Sequence, residues 1–123
     1  MSKASELGKR GEDIACEFLE AKGYNILDRN YRFEKAEIDI AALMLEPAEL
    51  IFVEVKTRSG AFAHRPEESV STQKQQHIFR AADAYLYEKG MASVPVRFDI
   101  IAIQILANGE PVIHHIEDAF RMF

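Results

Sequence analysis

The sequence predicts an α/β fold in which a mixed central sheet carries helices on its faces. Residues 5–22 and 71–89 have apolar side chains at helical spacing, whereas the segments between and after them alternate as strands do. The order is helix, three strands, helix and two strands, which suits helices packed on a sheet. The 123 residues match the length of one domain, so we expect a single domain over residues 1–123.

The first helix is predicted over Ser5–Lys22, where apolar residues recur along one stripe as far as Leu19. Gly23 follows and suits the left-handed conformation that ends many helices. Residues 26–33 then alternate as a first strand. The helix therefore has an apolar face with which to cover the sheet.

The second and third strands are predicted over Glu37–Leu45 and Glu49–Lys56, joined as a hairpin by a turn that contains a proline. A polar loop over residues 57–69 leads to the second helix. Ser71 suits the N-cap of that helix, and Gly90 suits its end.

The last third of the chain is predicted to form another hairpin. Residues 94–106 hold the fourth strand, and Asn108-Gly109 is a strong turn signal. Residues 111–116 return as a short fifth strand, and we expect a helical turn over residues 117–123. This hairpin completes a five-stranded α/β arrangement.

The net charge of −5 does not match a general nucleic-acid-binding domain, which is usually basic. The charge is uneven, since Glu54–Arg80 is net positive and the chain from Gly90 onward is net negative. A local basic surface is therefore expected instead of a strong overall field. The chain has no membrane span or secretory signal and a single cysteine, Cys16, so we expect a cytoplasmic protein with no membrane partner.

Alternation in the central hairpin is expected to place charged residues on one face of the sheet. Asp39 lies on that face of the second strand, with Glu54 and Lys56 on the third. If Glu46 pairs with Glu49 across a two-residue turn, Asp39 falls opposite Lys56 and diagonal to Glu54. The opposite, apolar face is expected to contain Ile38, Ile40, Ile51, Val53 and Val55.

Two carboxylates and an ammonium group suit the binding of a divalent metal against a phosphate. Mg²⁺ prefers oxygen ligands and keeps several waters, and Asp39, Glu54 and the carbonyl of Val55 could supply such ligands to Mg²⁺ or Mn²⁺. Lys56, which two acids should keep protonated, could orient a water or neutralise developing charge. The alternative is an ordinary cross-strand charge pair on a half-exposed sheet face.

Two helical residues are candidates to join this cluster. Glu12 sits at the edge of the apolar stripe of the first helix, although a plain surface role suits it as well. Lys74 begins the packing row of the second helix and could reach the cluster or extend to water. Asp99 alternates with apolar strand residues and is expected to be a structural partner of an arginine.

The chain resembles the YraN-like family in five segments, GKRGEDIACEFLEAKGYNILDRNYR, AEIDIAA, IFVEVKTRSG, STQKQQHIFRAADAYL and RFDIIAI. That bacterial family of predicted nucleases is related to Holliday-junction resolvases in the PD-(D/E)XK restriction-endonuclease-like superfamily. The resemblance implies an αβββαβ core with a metal site on the central hairpin. The family's motif positions fall on Glu12, Asp39, Glu54, Lys56 and Lys74.

This chain departs from the family at two places. Ala36 stands where a glycine usually precedes Glu-Ile-Asp, and residues 61–66 replace a stretch that commonly carries Phe-Gly. The second departure lies near the expected substrate side, so it bears on substrate preference.

The first functional hypothesis is a Mg²⁺- or Mn²⁺-dependent endonuclease that cuts structured or branched DNA. Asp39 and Glu54 would bind metal, Lys56 and Glu12 would complete the catalytic group, and Lys74 with Arg58 would bind substrate. A junction-cutting enzyme needs two sites, so the resemblance also implies a symmetric homodimer.

Two alternatives belong to other classes of protein. One is a catalytically inactive nucleic-acid-binding module of the same fold. The other is a protein-interaction scaffold whose tail, Phe120–Phe123, makes an apolar contact.

Overall fold

A computed structural model describes residues 3–122 and confirms the α/β prediction: one five-stranded sheet carries two helices. The strand order is β1-β2-β3-β4-β5, with β3 and β4 parallel and the other neighbours antiparallel. The elements are α1 (Lys3–Ala21), β1 (Asn25–Phe33), β2 (Ala36–Leu45), β3 (Ala48–Arg58), a 3₁₀ turn (Pro66–Ser69), α2 (Thr72–Lys89), β4 (Val96–Ile105) and β5 (Pro111–Phe120).

Each helix covers one face of the sheet with its own core. On one face, Ala15 and Leu19 of α1 pack on β-sheet residues such as Ile101; we call this the α1 core. On the other face, α2 packs through Phe79 and Tyr85 in what we call the α2 core. Antiparallel neighbours need only tight turns, whereas the parallel β3–β4 pair requires a long crossover, and α2 lies within it.

The caps predicted at Gly23, Ser71 and Gly90 are confirmed, although α1 begins at Lys3, two residues before the predicted start. Gly23 has φ 98° just after α1, and Gly90 has φ 66° at the C-cap of α2, both in the left-handed region that glycine adopts without strain. The Ser71 hydroxyl accepts a hydrogen bond from the Lys74 backbone N–H at 3.1 Å. Within the described residues, neither helix is long and apolar enough to cross a membrane.

The helical turn expected over residues 117–123 is wrong as far as Phe120, because β5 continues to that residue. The ladder between β4 and β5 shifts register between Phe98 and Ile100, and Asp118 has φ 54°. This bulge breaks the alternation that would have revealed the strand. Phe120 stacks on Phe98 in the α2 core, so it is not an exposed docking residue, and Phe123 lies outside the described residues.

The common apolar face expected for Ile38 and Ile40 is also wrong. Ile38 belongs to the α2 core and Ile40 to the α1 core. The recorded β2–β3 ladder runs from Leu45 to Ile40, and in β1 the facing segment contains Asn30 at φ 55°. The strand therefore changes face at Asp39, which lets both helices take apolar residues from β2.

The hairpin register differs from the expected one by two residues. Leu45 pairs with Ala48 across the turn, so continuing the ladder past Ile40 and Val53 places Asp39 beside Glu54 and not opposite Lys56. A shift by an even number of residues leaves every β3 side chain on the face predicted for it, because side chains alternate with a period of two. The charged groups of the two strands still meet.

Candidate metal centre

Asp39 is held beside Glu54 by the end of the β2–β3 ladder. Its Oδ2 accepts a hydrogen bond from the Val55 backbone N–H at 2.8 Å. Beyond Ile40, where the β2–β3 ladder ends, the Asp39 side chain thus accepts the hydrogen bond of the Val55 N–H in place of a backbone carbonyl. This bond orients the Asp39 carboxylate toward the end of β3 that bears Glu54 and Lys56.

Burial and the neighbouring Glu54 both oppose the ionisation of Asp39. Burial, followed by the negative charge of Glu54, raises the pKa of Asp39 to about 8, against the lowering effect of the Val55 N–H. Glu54 itself is only 6% exposed. A closely spaced acid pair of this kind is stabilised when a cation binds between its members.

Two lysines supply part of that positive charge. Lys74 of α2 forms an ion pair with Glu54 Oε2, and Lys56 Nζ lies 3.4 Å from the same oxygen. Burial lowers the pKa of Lys56 against the attraction of Glu54, and Lys74 lowers it further. That direction is the reverse of the one expected from two neighbouring acids, because the sequence revealed neither the burial of Lys56 nor the position of Lys74 beside it.

The Lys74 ammonium responds differently. Burial opposes its charge, but the hydrogen bond and the charge of Glu54 outweigh burial and raise the pKa of Lys74. The two ammonium groups at one carboxylate therefore differ, with Lys74 the more firmly protonated of the two.

Glu12 reaches the centre because α1 approaches β3 very closely at Gly11. A Cβ at Gly11 would lie 1.8 Å from Thr57 Oγ1, one residue beyond Lys56. No side chain fits there, so glycine permits the approach. Glu12, with only 17% of its side chain exposed, also lies 3.6 Å from Arg29.

Glu12, Glu37 and Asp39 form an acidic cluster that could bind a metal ion, since each offers a carboxylate oxygen within 4.8 Å of the others. Hard divalent cations prefer such oxygens. Glu37, two residues before Asp39 on β2, was not among the predicted site residues. Its ion pair with Arg32 at 2.9 Å leaves one side of the carboxylate toward the cluster.

Glu37 and Asp39 line a surface cleft of about 350 Å³, whereas Glu12 is not among its lining residues. Its walls include Asp39, Glu54, Lys56 and Lys74, so the structure brings these four predicted residues together. Arg58 is not among the lining residues. Its guanidinium lies 5.8 Å from the centre of the Phe62 ring, and it donates to the Thr57 carbonyl.

The alanine that replaces a family glycine causes no distortion. The β1–β2 turn is formed by Glu34, at φ 54°, and Lys35, whereas Ala36 is already a regular β2 residue paired with Phe33. Its methyl group is buried in the α2 core. The departure therefore adds apolar packing next to the cleft.

A second buried carboxylate, Asp99, lies away from the cleft and confirms the expected arginine partnership. Arg97 donates to both oxygens of Asp99 at 2.8 Å. His115 Nε2 lies 2.7 Å from Oδ2, and the Asp118 backbone N–H donates to Oδ1 at 2.9 Å. Burial opposes ionisation, but the bonds from His115, Arg97 and Asp118 outweigh it and lower the pKa of Asp99.

Asp99, His115 and Glu117 also have ligand atoms within 4.8 Å of one another. The space at their acidic oxygens is already used by Arg97, which lies 3.1 Å from Glu117. The role of His115 was not visible in the sequence, because a lone histidine on a strand carries no signal of its partner.

Comparison with known proteins gives a consistent family assignment. A UPF0102 protein of Geobacter sulfurreducens is 47% identical over 116 residues, covering 94% of this chain and 89% of that protein. One of Christiangramia forsetii is 45% identical over 123 residues and the full length of both chains. One of Bacteroides thetaiotaomicron is 47% identical over 120 residues, covering 98% and 96%.

Among solved structures, Pyrococcus furiosus SfsA in complex with Ca²⁺ shows a distant similarity. The identity is 13% and the TM-score 0.33, over 93% of this chain and 63% of that one. The sequence model of "Uncharacterised protein family UPF0102" matches residues 11–103, which include all five family motif positions. This chain therefore belongs to the UPF0102, or YraN-like, family.

Proposed function

We propose that this protein is a metal-dependent endonuclease that hydrolyses phosphodiester bonds in structured or branched DNA. The observation that carries the proposal is the Asp39–Glu54 pair, which is held together by the Val55 N–H in an open cleft with two lysines. Repelling carboxylates favour a divalent cation, and ammonium groups beside them favour a phosphate.

Asp39, Glu54 and the Val55 carbonyl would hold Mg²⁺ or Mn²⁺. When bound, such an ion polarises a phosphoryl oxygen and lowers the pKa of a coordinated water. Glu12, which has a carboxylate oxygen within 4.8 Å of one on Asp39, would hold a water of the ion's hydration shell.

Lys56 and Lys74 would have different roles in the hydrolysis. Lys56 orients the attacking water, which adds to phosphorus as the P–O bond to the leaving sugar oxygen breaks. Lys74, now paired with Glu54, would face the phosphate once Glu54 held the ion, and would stabilise the negative charge that the phosphate gains in the transition state. Arg58, on the rim beyond the cleft, would contact a more distant phosphate.

One contact favours a second candidate, an inactive nucleic-acid-binding module. Lys74 already occupies Glu54 Oε2, so a metal ion has to displace that ion pair. In a binding module the lysine would stay in place, and titration calorimetry with Mg²⁺ would show no heat that depends on Asp39.

The decisive experiment is cleavage of branched, single-stranded and duplex DNA with Mg²⁺ or Mn²⁺. We expect cutting by the purified protein and a loss of about 100-fold or more in Asp39→Asn and Glu54→Gln, since even changes behind metal ligands cost 10–100-fold. Glu110→Gln, a change at an exposed acid outside the cleft, is the matched control. Absence of cutting, or equal cutting by all variants, would refute the nuclease proposal.

A nuclease that cuts both strands of a junction needs two such centres, so we propose a symmetric homodimer on DNA. Light scattering of the protein with and without a four-way junction tests this. A strictly monomeric complex with one junction would contradict it.

A further inference from the structure

A groove leads away from the metal centre between β1 and α2. The cleft shares Lys35 and His77 with a neighbouring depression of about 280 Å³. That depression in turn shares Phe33 and Arg80 with a wider hollow that reaches Tyr87 on the outer face of α2. The three hollows thus form one continuous path along the surface.

The far part of this groove presents aromatic rings to solvent. Tyr87 is 89% exposed and Phe33 36% exposed, which is unusual for large aromatic side chains. Tyr31 supports the floor, where its ring packs edge-on against Tyr85 and its hydroxyl donates to Glu88. Exposed rings in a groove are the surfaces on which unpaired bases stack.

The near part of the groove offers cations for phosphates. In the described part of the chain Lys35 has no recorded ion-pair partner. Arg80 pairs with Glu34, but both side chains are largely exposed, so that pair is weak and a phosphate can replace the carboxylate. The acids of the far part, Asp83 and Glu88, lie on the α2 wall.

We propose that this groove binds an unpaired nucleic-acid strand that leaves the metal centre. Its phosphates would meet Lys35 and Arg80, and its bases would stack on Phe33 and Tyr87. A duplex cannot use these rings, because its base faces are already stacked and only base edges face the grooves. The preferred substrate class is then DNA with a single-stranded arm next to the cut, which rests on the proposed nuclease function.

The test compares two DNA probes by fluorescence anisotropy in EDTA, where no cutting occurs. One is a blunt hairpin duplex, and the other is the same duplex with a ten-nucleotide single-stranded arm. We expect the wild-type protein to bind the armed probe at least about tenfold more tightly, since each stacked base contributes that order of affinity.

Phe33→Ala/Tyr87→Ala should remove most of this preference and leave blunt-duplex binding unchanged. Leu45→Ala/Leu106→Ala, which also removes exposed apolar side chains but outside the groove, is the control and should retain the preference. Tyr87→Ala alone, at an almost fully exposed position, should lower the preference without any effect on folding.

Equal binding of both probes by the wild-type protein, or an arm preference that survives in Phe33→Ala/Tyr87→Ala, would overturn the groove assignment and leave the nuclease proposal intact. Arm preference without cleavage of either probe in Mn²⁺ would refute the nuclease and keep the groove. No binding to either probe would overturn the groove assignment, and cleavage in Mn²⁺ would then decide the nuclease proposal separately.

Discussion

Two carboxylates on the same sheet, the buried Asp99 and the half-buried Asp39, behave in opposite ways. Asp99 accepts hydrogen bonds from Arg97, His115 and the Asp118 N–H, and its pKa is lowered. Asp39 accepts one backbone N–H and faces Glu54, and its pKa is raised to about 8. A buried charge that the fold fully compensates is structural, whereas one that the fold leaves short of positive charge is suited to bind a cation.

The largest effect expected from this comparison is the loss of the compensated charge. Asp99→Ala should lower the free energy of unfolding by about 3–5 kcal/mol, because it leaves the half-buried Arg97 guanidinium without its main partner. Urea denaturation measures this. A loss below about 1 kcal/mol would show that Arg97 finds equivalent acceptors in Glu49 and Glu117, both within 3.2 Å of it.

The uncompensated site should respond to metal instead. At a Mn²⁺ concentration 100 times its dissociation constant, binding should stabilise the wild-type protein by about 2.7 kcal/mol. Thermal denaturation with and without Mn²⁺ measures the shift, which should be absent in Asp39→Asn. An unchanged shift in Asp39→Asn would place the metal elsewhere.

The close approach of α1 gives a smaller effect. Gly11→Ala forces a methyl group against Thr57 and should cost about 1–3 kcal/mol. It should also weaken Mn²⁺ binding by moving Glu12. Gly8→Ala is the matched control in the same helix, because a Cβ there has nothing within 4 Å, and it should stabilise by up to about 1 kcal/mol. Similar effects of both changes would disprove tight packing at Gly11.

The smallest expected effect concerns pH in the absence of metal. The pKa of Asp39 is about 8 in the folded state and near 3.9 in the unfolded state. Between these pH values Asp39 is protonated when the protein is folded and ionised when it is unfolded. The contribution of Asp39 to stability therefore falls as pH rises through this window. Asp39→Asn should flatten the dependence and raise the Tm at pH 9 by about 4 °C. The two lysines limit the gain.

The counterpart of this pH dependence lies at Asp99. Because the pKa of Asp99 is lower in the folded state, this carboxylate contributes its full stabilisation at pH values above its unfolded pKa near 3.9. That stabilisation is lost as pH falls through the folded pKa. Thermal denaturation of wild type and Asp39→Asn from pH 3 to pH 9 separates the effects of Asp39 and Asp99. The decrease of Tm at acid pH, which comes from Asp99, should be the same in both proteins. If the decrease of Tm at acid pH disappeared in Asp39→Asn, its attribution to Asp99 would be contradicted.

The sequence by itself determined the order of helices and strands, the caps at Gly23, Ser71 and Gly90, and the meeting of the two charged strand segments. These are local properties: side-chain period, cap chemistry and the parity of a hairpin depend on neighbouring residues only. Glu12 and Lys74 could be singled out in the same way, from their places on the helical stripes.

Only the tertiary structure decided the change of face at Asp39, the pairing of Lys74 with Glu54 and the partners of Asp99. Each depends on two elements far apart in sequence. β2 supplies apolar residues to the helices on both sides of the sheet, and the charges meet because the first turn of α2 brings Lys74 to Glu54. Alternation assigns a side chain to a face, but packing decides which neighbour compensates its charge.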